Sequence, residues 1–149
     1  MRQFYQKTPL APEEARNKLL PRITGQDPTL AHIASLDGRP FGYVQSYLIM
    51  DTPSYAEEIG VSSGVGMDYF IGEPDLIGRG HGRVMLAAYL RDILFPSFPG
   101  ETRCIVCYEL ENVASRRVLE AVGFGFEREV MEGGVLSGLM MLDRAAERI

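Results

Sequence analysis

Apolar and polar residues alternate along this chain with two different periods, and the switches between them lay out a series of elements. Ala11–Leu20 carries a proline and acids in its first turn and reads as a helix, with Pro21 and Gly25 marking its end. Thr29–Leu36 and Phe41–Met50 are strand-like runs joined by Asp37-Gly38-Arg39-Pro40, a strong hairpin turn. From Asp51 to Gly66 the pattern breaks down into a long polar loop, and loops of that length are commonly functional. A short strand, Met67–Ile71, follows. The apolar positions of Val84–Leu94 then recur at spacings of three and four, which predicts a helix stopped by Pro96 and Pro99. Thr102–Tyr108 reads as a strand. Asn112 is placed to cap a helix over Val113–Val122, with Gly123 just past its end. Phe124–Met131 and Val135–Asp143 close the chain as a hairpin across Glu132-Gly133-Gly134. No internal repeat or linker divides the chain, so residues 1–149 are expected to form one domain.

Between the Met67–Ile71 strand and the following helix lies Ile77-Gly78-Arg79-Gly80-His81-Gly82-Arg83. Three alternating glycines at a helix start let backbone N–H groups close on a bound group, and the helix dipole adds partial positive charge there. The turn therefore suits a phosphate or pyrophosphate, with Arg79 and Arg83 adding charge. A tight connection needing positive φ is the plainer alternative. Two other phosphate motifs are excluded: the spacing is not GxGxxG, and no Gly-Lys-Ser/Thr follows.

Composition narrows the function classes. The net charge is −5, which disfavours grip on nucleic-acid phosphates and suits a cationic substrate. No apolar run approaches the roughly 20 residues of a membrane span, and the first residues lack a signal-peptide core, so a cytoplasmic protein is expected. Cys104 and Cys107 lie three apart within a strand and should face opposite sides; no second pair completes a metal site, and no metal is expected.

The order of elements, the glycine turn, and a second stretch running from Asn112 through Ser115 to Gly123-Phe124 together resemble the GNAT superfamily of acetyl-CoA-dependent N-acetyltransferases. The resemblance covers nearly the whole chain. Within the superfamily, Gly42-Tyr43-Val44-Gln45-Ser46-Tyr47 and Gly66-Met67-Asp68 are most similar to the aminoglycoside 6′-N-acetyltransferases. The resemblance implies an α/β (α+β) fold with a central, mostly antiparallel mixed sheet flanked by helices. Relatives carry a first strand and helix ahead of the segment matching Phe4–Ile23. The sheet is thus expected to lack its first strand, and the open edge would favour a homodimer.

The resemblance also implies a division of labour. Acetyl-CoA would lie on Gly78, Arg79, Gly80, His81, Gly82 and Arg83 through its pyrophosphate, and on the backbone of Phe70 and Ile71 through its pantetheine arm, with Asn112 nearby. Asp68, on the same strand face as Phe70, would bind the substrate ammonium and take its proton. Gln45 and Tyr47 share a face of the preceding strand and could form the cleft's polar wall. Asp51, Glu57 and Glu58, with Tyr55, could engage a polyamine from the long loop, a solvated acidic loop being the plainer alternative. His81 would point outward from the turn. The implied reaction moves acetyl to a primary amine of a small cation, an aminoglycoside first, with antibiotic resistance as the outcome. A protein amine, a siderophore precursor, or an acyl-CoA-binding domain without turnover are the alternatives. The last is motivated by departures from the pattern: Ile77 where Arg or Gln is usual, Cys107-Tyr108-Glu109-Leu110-Glu111 before Asn112, and Leu119 where relatives carry a proton-donating Tyr. Tyr108 could replace that donor if its strand turned it inward.

Overall fold

The computed structural model describes residues 29–72 and 80–144. The expected helix at Ala11–Leu20, the question of a first strand, and Gly78 and Arg79 lie outside the described residues. Six strands form one sheet: β1 (Leu30–Leu36), β2 (Arg39–Leu48), β3 (Val65–Ile71), β4 (Arg103–Glu109), β5 (Gly125–Glu132) and β6 (Val135–Asp143), in the order β1-β2-β3-β4-β6-β5. Among the described residues, β3 and β4 alone pair in parallel. The mixed, mostly antiparallel sheet expected from the sequence is therefore present.

Two-residue turns set the hairpin registers. Asp37 and Gly38 both have positive φ, as do Gly133 and Gly134, and that conformation matches the twist of the flanking strands. The first turn is thus shorter than expected, with Arg39 and Pro40 already in β2.

The polar loop is the main departure. Pro53–Ile59 forms a helix, α1, with Pro53 in its first turn, Ile59 buried, and Gly60 in the left-handed conformation at its end. Seven residues with one buried anchor leave little periodicity to read. β3 also begins earlier than expected, at Val65. Helix α2 (His81–Tyr89) runs into a π turn, Leu90–Leu94, and a helical turn at Phe95–Ser97. Helix α3 (Val113–Ala121) is capped as expected: Asn112 Oδ1 accepts from Ser115 N at 3.1 Å, and Gly123 has φ +112°.

The sheet has two differently covered faces. Val44, Met67, Ile71, Val106, Met140 and Leu142 pack toward α2 and α3, where Leu86, Leu90 and Leu119 are fully buried. On the other face Ile105 and Leu139 pack with Ile49 and with Ile59 of α1. Cys104 belongs to the first cluster and Cys107 borders the second, so the two thiols face opposite sides. Gly82 explains how α2 sits so close: a Cβ there would lie 3.3 Å from Ile71 Cδ1 and 3.6 Å from Val118.

Candidate active site

The site begins where the parallel pair fails. β3 and β4 are in register only at Val65–Cys104 and Gly66–Ile105, then part. Between them a cleft of about 360 Å³ runs through the sheet. Asp68 and Cys107 border it on the α1 side, and Tyr69 and Tyr108 on the α2/α3 side.

The ladder tells which backbone groups face the gap. Gly72 N donates to Phe41 O at 2.7 Å, and β2 and β3 stay in unbroken register from Gly42–Ile71 to Leu48–Val65. Since hydrogen-bonded pairs alternate in an antiparallel ladder, Phe70 and Asp68 spend their backbone groups on β2. Tyr69 and Ile71 instead turn N–H and C=O toward the gap. Of the two residues expected to bind an extended ligand by backbone, Ile71 is placed to do so and Phe70 is not. The Phe70 ring lies on Asp68's face and stacks on Tyr43 with centroids 5.3 Å apart.

Asp68 is held from β2. Gln45 stands directly opposite it and donates Nε2–H to Asp68 Oδ2 at 2.8 Å, while Tyr43 Oη donates to Gln45 Oε1 at 2.8 Å. Gln45 is buried, so this relay fixes its amide and hence the carboxylate's orientation. Tyr47, two residues on, lies over Gly66: a Cβ there would come within 2.4 Å of the ring. Gln45, Tyr47 and Asp68 therefore converge as the sequence suggests, beside a second hollow of about 300 Å³.

That hollow adds Tyr55, which the sequence places among the acids of the Asp51–Gly66 segment, and Glu132, which the sequence does not single out. Tyr55 of α1 meets the Tyr47 ring edge-on, centroids 6.2 Å apart, and its hydroxyl donates to Glu132 Oε2. Glu132 borders both the hollow and the cleft, as does Asp68. Burial raises the Glu132 carboxyl above its usual range; the Tyr55 hydroxyl bond offsets part of this, while Asp68 and Glu58 add to it by repulsion. Burial likewise pushes the Cys107 thiol up to about 12, which leaves it protonated and a poor nucleophile. The cleft mouth is electronegative and suits a cation. Glu57 is not part of it: it is exposed on α1 and borders neither cavity, and its neighbours Tyr55 and Glu58 face the hairpin instead.

At the other end, α2 starts at Gly80 with φ +83°, a left-handed entry that suits glycine. His81 does not point outward as expected; its ring packs on Phe41, centroids 5.8 Å apart. Arg83 is exposed on the first turn. Asn112 and Ser115 of α3 border the cleft. Ser115 Oγ lies 2.5 Å from Tyr69 Oη, and burial holds that hydroxyl up at about 12. Leu119 is fully buried and offers no polar group. Tyr108 is also buried, over Gly138, and its hydroxyl has no hydrogen-bond partner among the described residues. Among those residues no three His, Cys, Asp or Glu side chains gather as a metal site, and no helix is long and apolar enough to cross a membrane.

A parallel pair opening into a cleft, with a glycine-led helix at one end and two carboxylates at the other, is the frame of an acyltransferase domain. The chain belongs to the acetyltransferase (GNAT) domain family, which matches residues 2–131. Aminoglycoside N(6′)-acetyltransferase type 1 of Klebsiella pneumoniae and that of Serratia marcescens are each 31% identical to it over 108 residues, 64% of this chain and 53% of theirs. The chain thus spans about half the length of the curated relatives it matches. Its fold is that of aminoglycoside acetyltransferase AAC(6′)-Ib. The complex of that enzyme with coenzyme A superposes with a TM-score of 0.83 at 22% identity, covering 97% of this chain and 83% of the other. The complex with paromomycin and acetyl-CoA gives 0.84 at 22% identity, covering 97% and 81%.

Proposed function

We propose that this protein transfers the acetyl group of acetyl-CoA to a primary amine of a small polycation, an aminoglycoside being the first candidate. The observation that carries the reading is the placement of Asp68. It stands where β3 loses its β4 partner, oriented by Gln45, with Glu132 on the same cavity wall.

The residues at hand suit both substrates. The first-turn amides of α2 and the Arg83 side chain would meet the pyrophosphate of acetyl-CoA. The gap-facing backbone of Tyr69 and Ile71 offers an extended arm the hydrogen bonds that β4 has given up. Bound there, acetyl-CoA supplies a thioester carbonyl at the cleft. An acceptor amine arrives as an ammonium, which cannot attack. Asp68 would bind it and take one proton directly or through water, leaving the nitrogen lone pair free. Glu132 would draw a second cationic group, and each new positive charge offsets the repulsion between the two carboxylates. With Leu119 buried, the leaving thiolate would take its proton from water or from Tyr108, a cleft-lining residue whose buried hydroxyl has no partner among the described residues.

Release of free CoA thiol tests the reading, with acetyl-CoA and kanamycin present or absent. Kanamycin-dependent release, with one acetyl group added to kanamycin by mass, is expected. Tight acetyl-CoA binding with no release on kanamycin, polyamines or peptides would favour a binding domain without turnover.

A further inference from the structure

The acceptor side of the site depends on one irregularity in β5. Phe126 pairs with Met140 and Arg128 with Leu139, so Glu127 is an extra residue with no partner on β6. Residues two apart on a regular strand share a face, but a one-residue bulge reverses the faces beyond it. The contacts follow this reversal. Phe126 lies on the α3 side, under the Arg116 guanidinium at 5.3 Å, whereas Leu139 and Val130 belong to the α1 side. Arg128, Val130 and Glu132 are therefore turned together toward α1. A regular β5 would have carried Glu132 to the opposite face, away from Tyr55.

Arg128 is the residue that uses this turn. Its Nη2 donates to Ile59 O at 2.8 Å and to Gly60 O at 3.2 Å, carbonyls at the end of α1. A terminal carbonyl of a helix carries partial negative charge, so a guanidinium is well matched to it. Gly60 leaves the room: a Cβ there would sit 2.9 Å from that nitrogen. Two further contacts join the same parts, Tyr55 to Glu132 and Gly133 N to Glu58 Oε1 at 3.3 Å.

We propose that Arg128 is a positioning residue for the acceptor: from the bulged strand it pins the end of α1, so that Tyr55 and Glu132 meet at the cleft. It touches neither cavity that holds Asp68. The proposal rests on the acceptor reading above, and its test separates the two.

Arg128→Met keeps the side-chain length and removes the donors; Arg128→Lys restores one charged donor. In Arg128→Met the KM for kanamycin should rise by about tenfold or more while the KM for acetyl-CoA stays put. Amide exchange over residues 53–60 should speed up, and Arg128→Lys should recover part of both effects. An unchanged kanamycin KM would overturn the proposal, as would a parallel loss of acetyl-CoA affinity, which marks a general structural role. If Arg128→Met fails to fold, Arg128→Lys decides on the same two readouts. If the wild-type chain releases CoA on neither kanamycin nor polyamines, the functional reading falls by itself. Unchanged exchange over residues 53–60 would then overturn the clamp, and faster exchange would support it.

Discussion

Asp68 and Glu132 border the same space but are treated differently by their neighbours. Asp68 is oriented by a buried amide that is itself anchored by Tyr43. Glu132 has one hydroxyl donor, Tyr55, and sits against Asp68 and Glu58, so its charged form is disfavoured in the folded protein. The sign follows from linkage. At pH values below the usual 4.5 both folded and unfolded chains hold the proton and the penalty is absent. As pH rises above it, the unfolded chain releases that proton first, and the folded state loses stability relative to it. Glu132→Gln keeps an acceptor for Tyr55 and removes the charge. At pH 7.5 it should therefore stabilise the protein by about 1 kcal/mol, a Tm rise of about 2–4 °C, with the gain vanishing toward pH 4. Thermal unfolding of both proteins at the two pH values checks this. A lower Tm for the variant at pH 7.5 would mean that the carboxylate is stabilised by a group other than those described.

The glycines act at the level of elements, each through a particular close approach. Gly82 lets the first turn of α2 lie against Ile71 and Val118, which holds the helix start beside the β3 end of the cleft. Gly82→Val would add a Cβ only 3.3 Å from Ile71 Cδ1 and push its branched carbons further into that space. The expected cost is about 1–3 kcal/mol, seen as a lower Tm, together with weaker acetyl-CoA binding by calorimetry. Retained stability and affinity would show that α2 is not seated by that contact. The same scale explains what could be read from sequence. The places of the two hairpin turns, the Asn112 cap and the opposed thiols are local patterns that the sequence carries, although both turns are shorter than it suggests. Helix α1 was hidden because one buried anchor in seven residues makes no stripe. Glu132 was hidden twice. The sequence reads it as the first residue of the Glu132-Gly133-Gly134 turn, whereas it is the last of β5. Plain alternation from Phe126 would also assign it to the wrong face, because the Glu127 bulge is settled by pairing with β6. Glu57 lies apart from both cavities for a related reason, since acids in a supposed loop cannot be ranked until a helix decides which of them turn inward.

At the scale of the whole molecule, the sheet formed by the described residues is an antiparallel framework interrupted between β3 and β4. Among the described strands every pair but β3–β4 is antiparallel, and that pair holds for only two residues. The break exposes backbone hydrogen-bonding groups and, through Asp68, a carboxylate on one face, while the helices that cover the other face bring a glycine-led N-terminus to its edge. On the proposed reading, donor and acceptor would approach from opposite sides of one sheet and meet through the gap. This arrangement was legible in outline from the order of elements and the two glycine-bearing motifs, because order and turns fix the topology. The identity of the acceptor was not, since it rests on which side chains α1 and the β5–β6 hairpin bring together.

The central claim is that Asp68 takes the acceptor's proton beside bound acetyl-CoA. The most direct measurement is kcat/KM for kanamycin in Asp68→Asn, read beside its acetyl-CoA dissociation constant. Asparagine preserves the shape and an acceptor for Gln45 but cannot take the proton. The account predicts a fall of about 10²–10⁴-fold in kcat/KM with acetyl-CoA binding unchanged. A variant that acetylates kanamycin at the wild-type rate would contradict it.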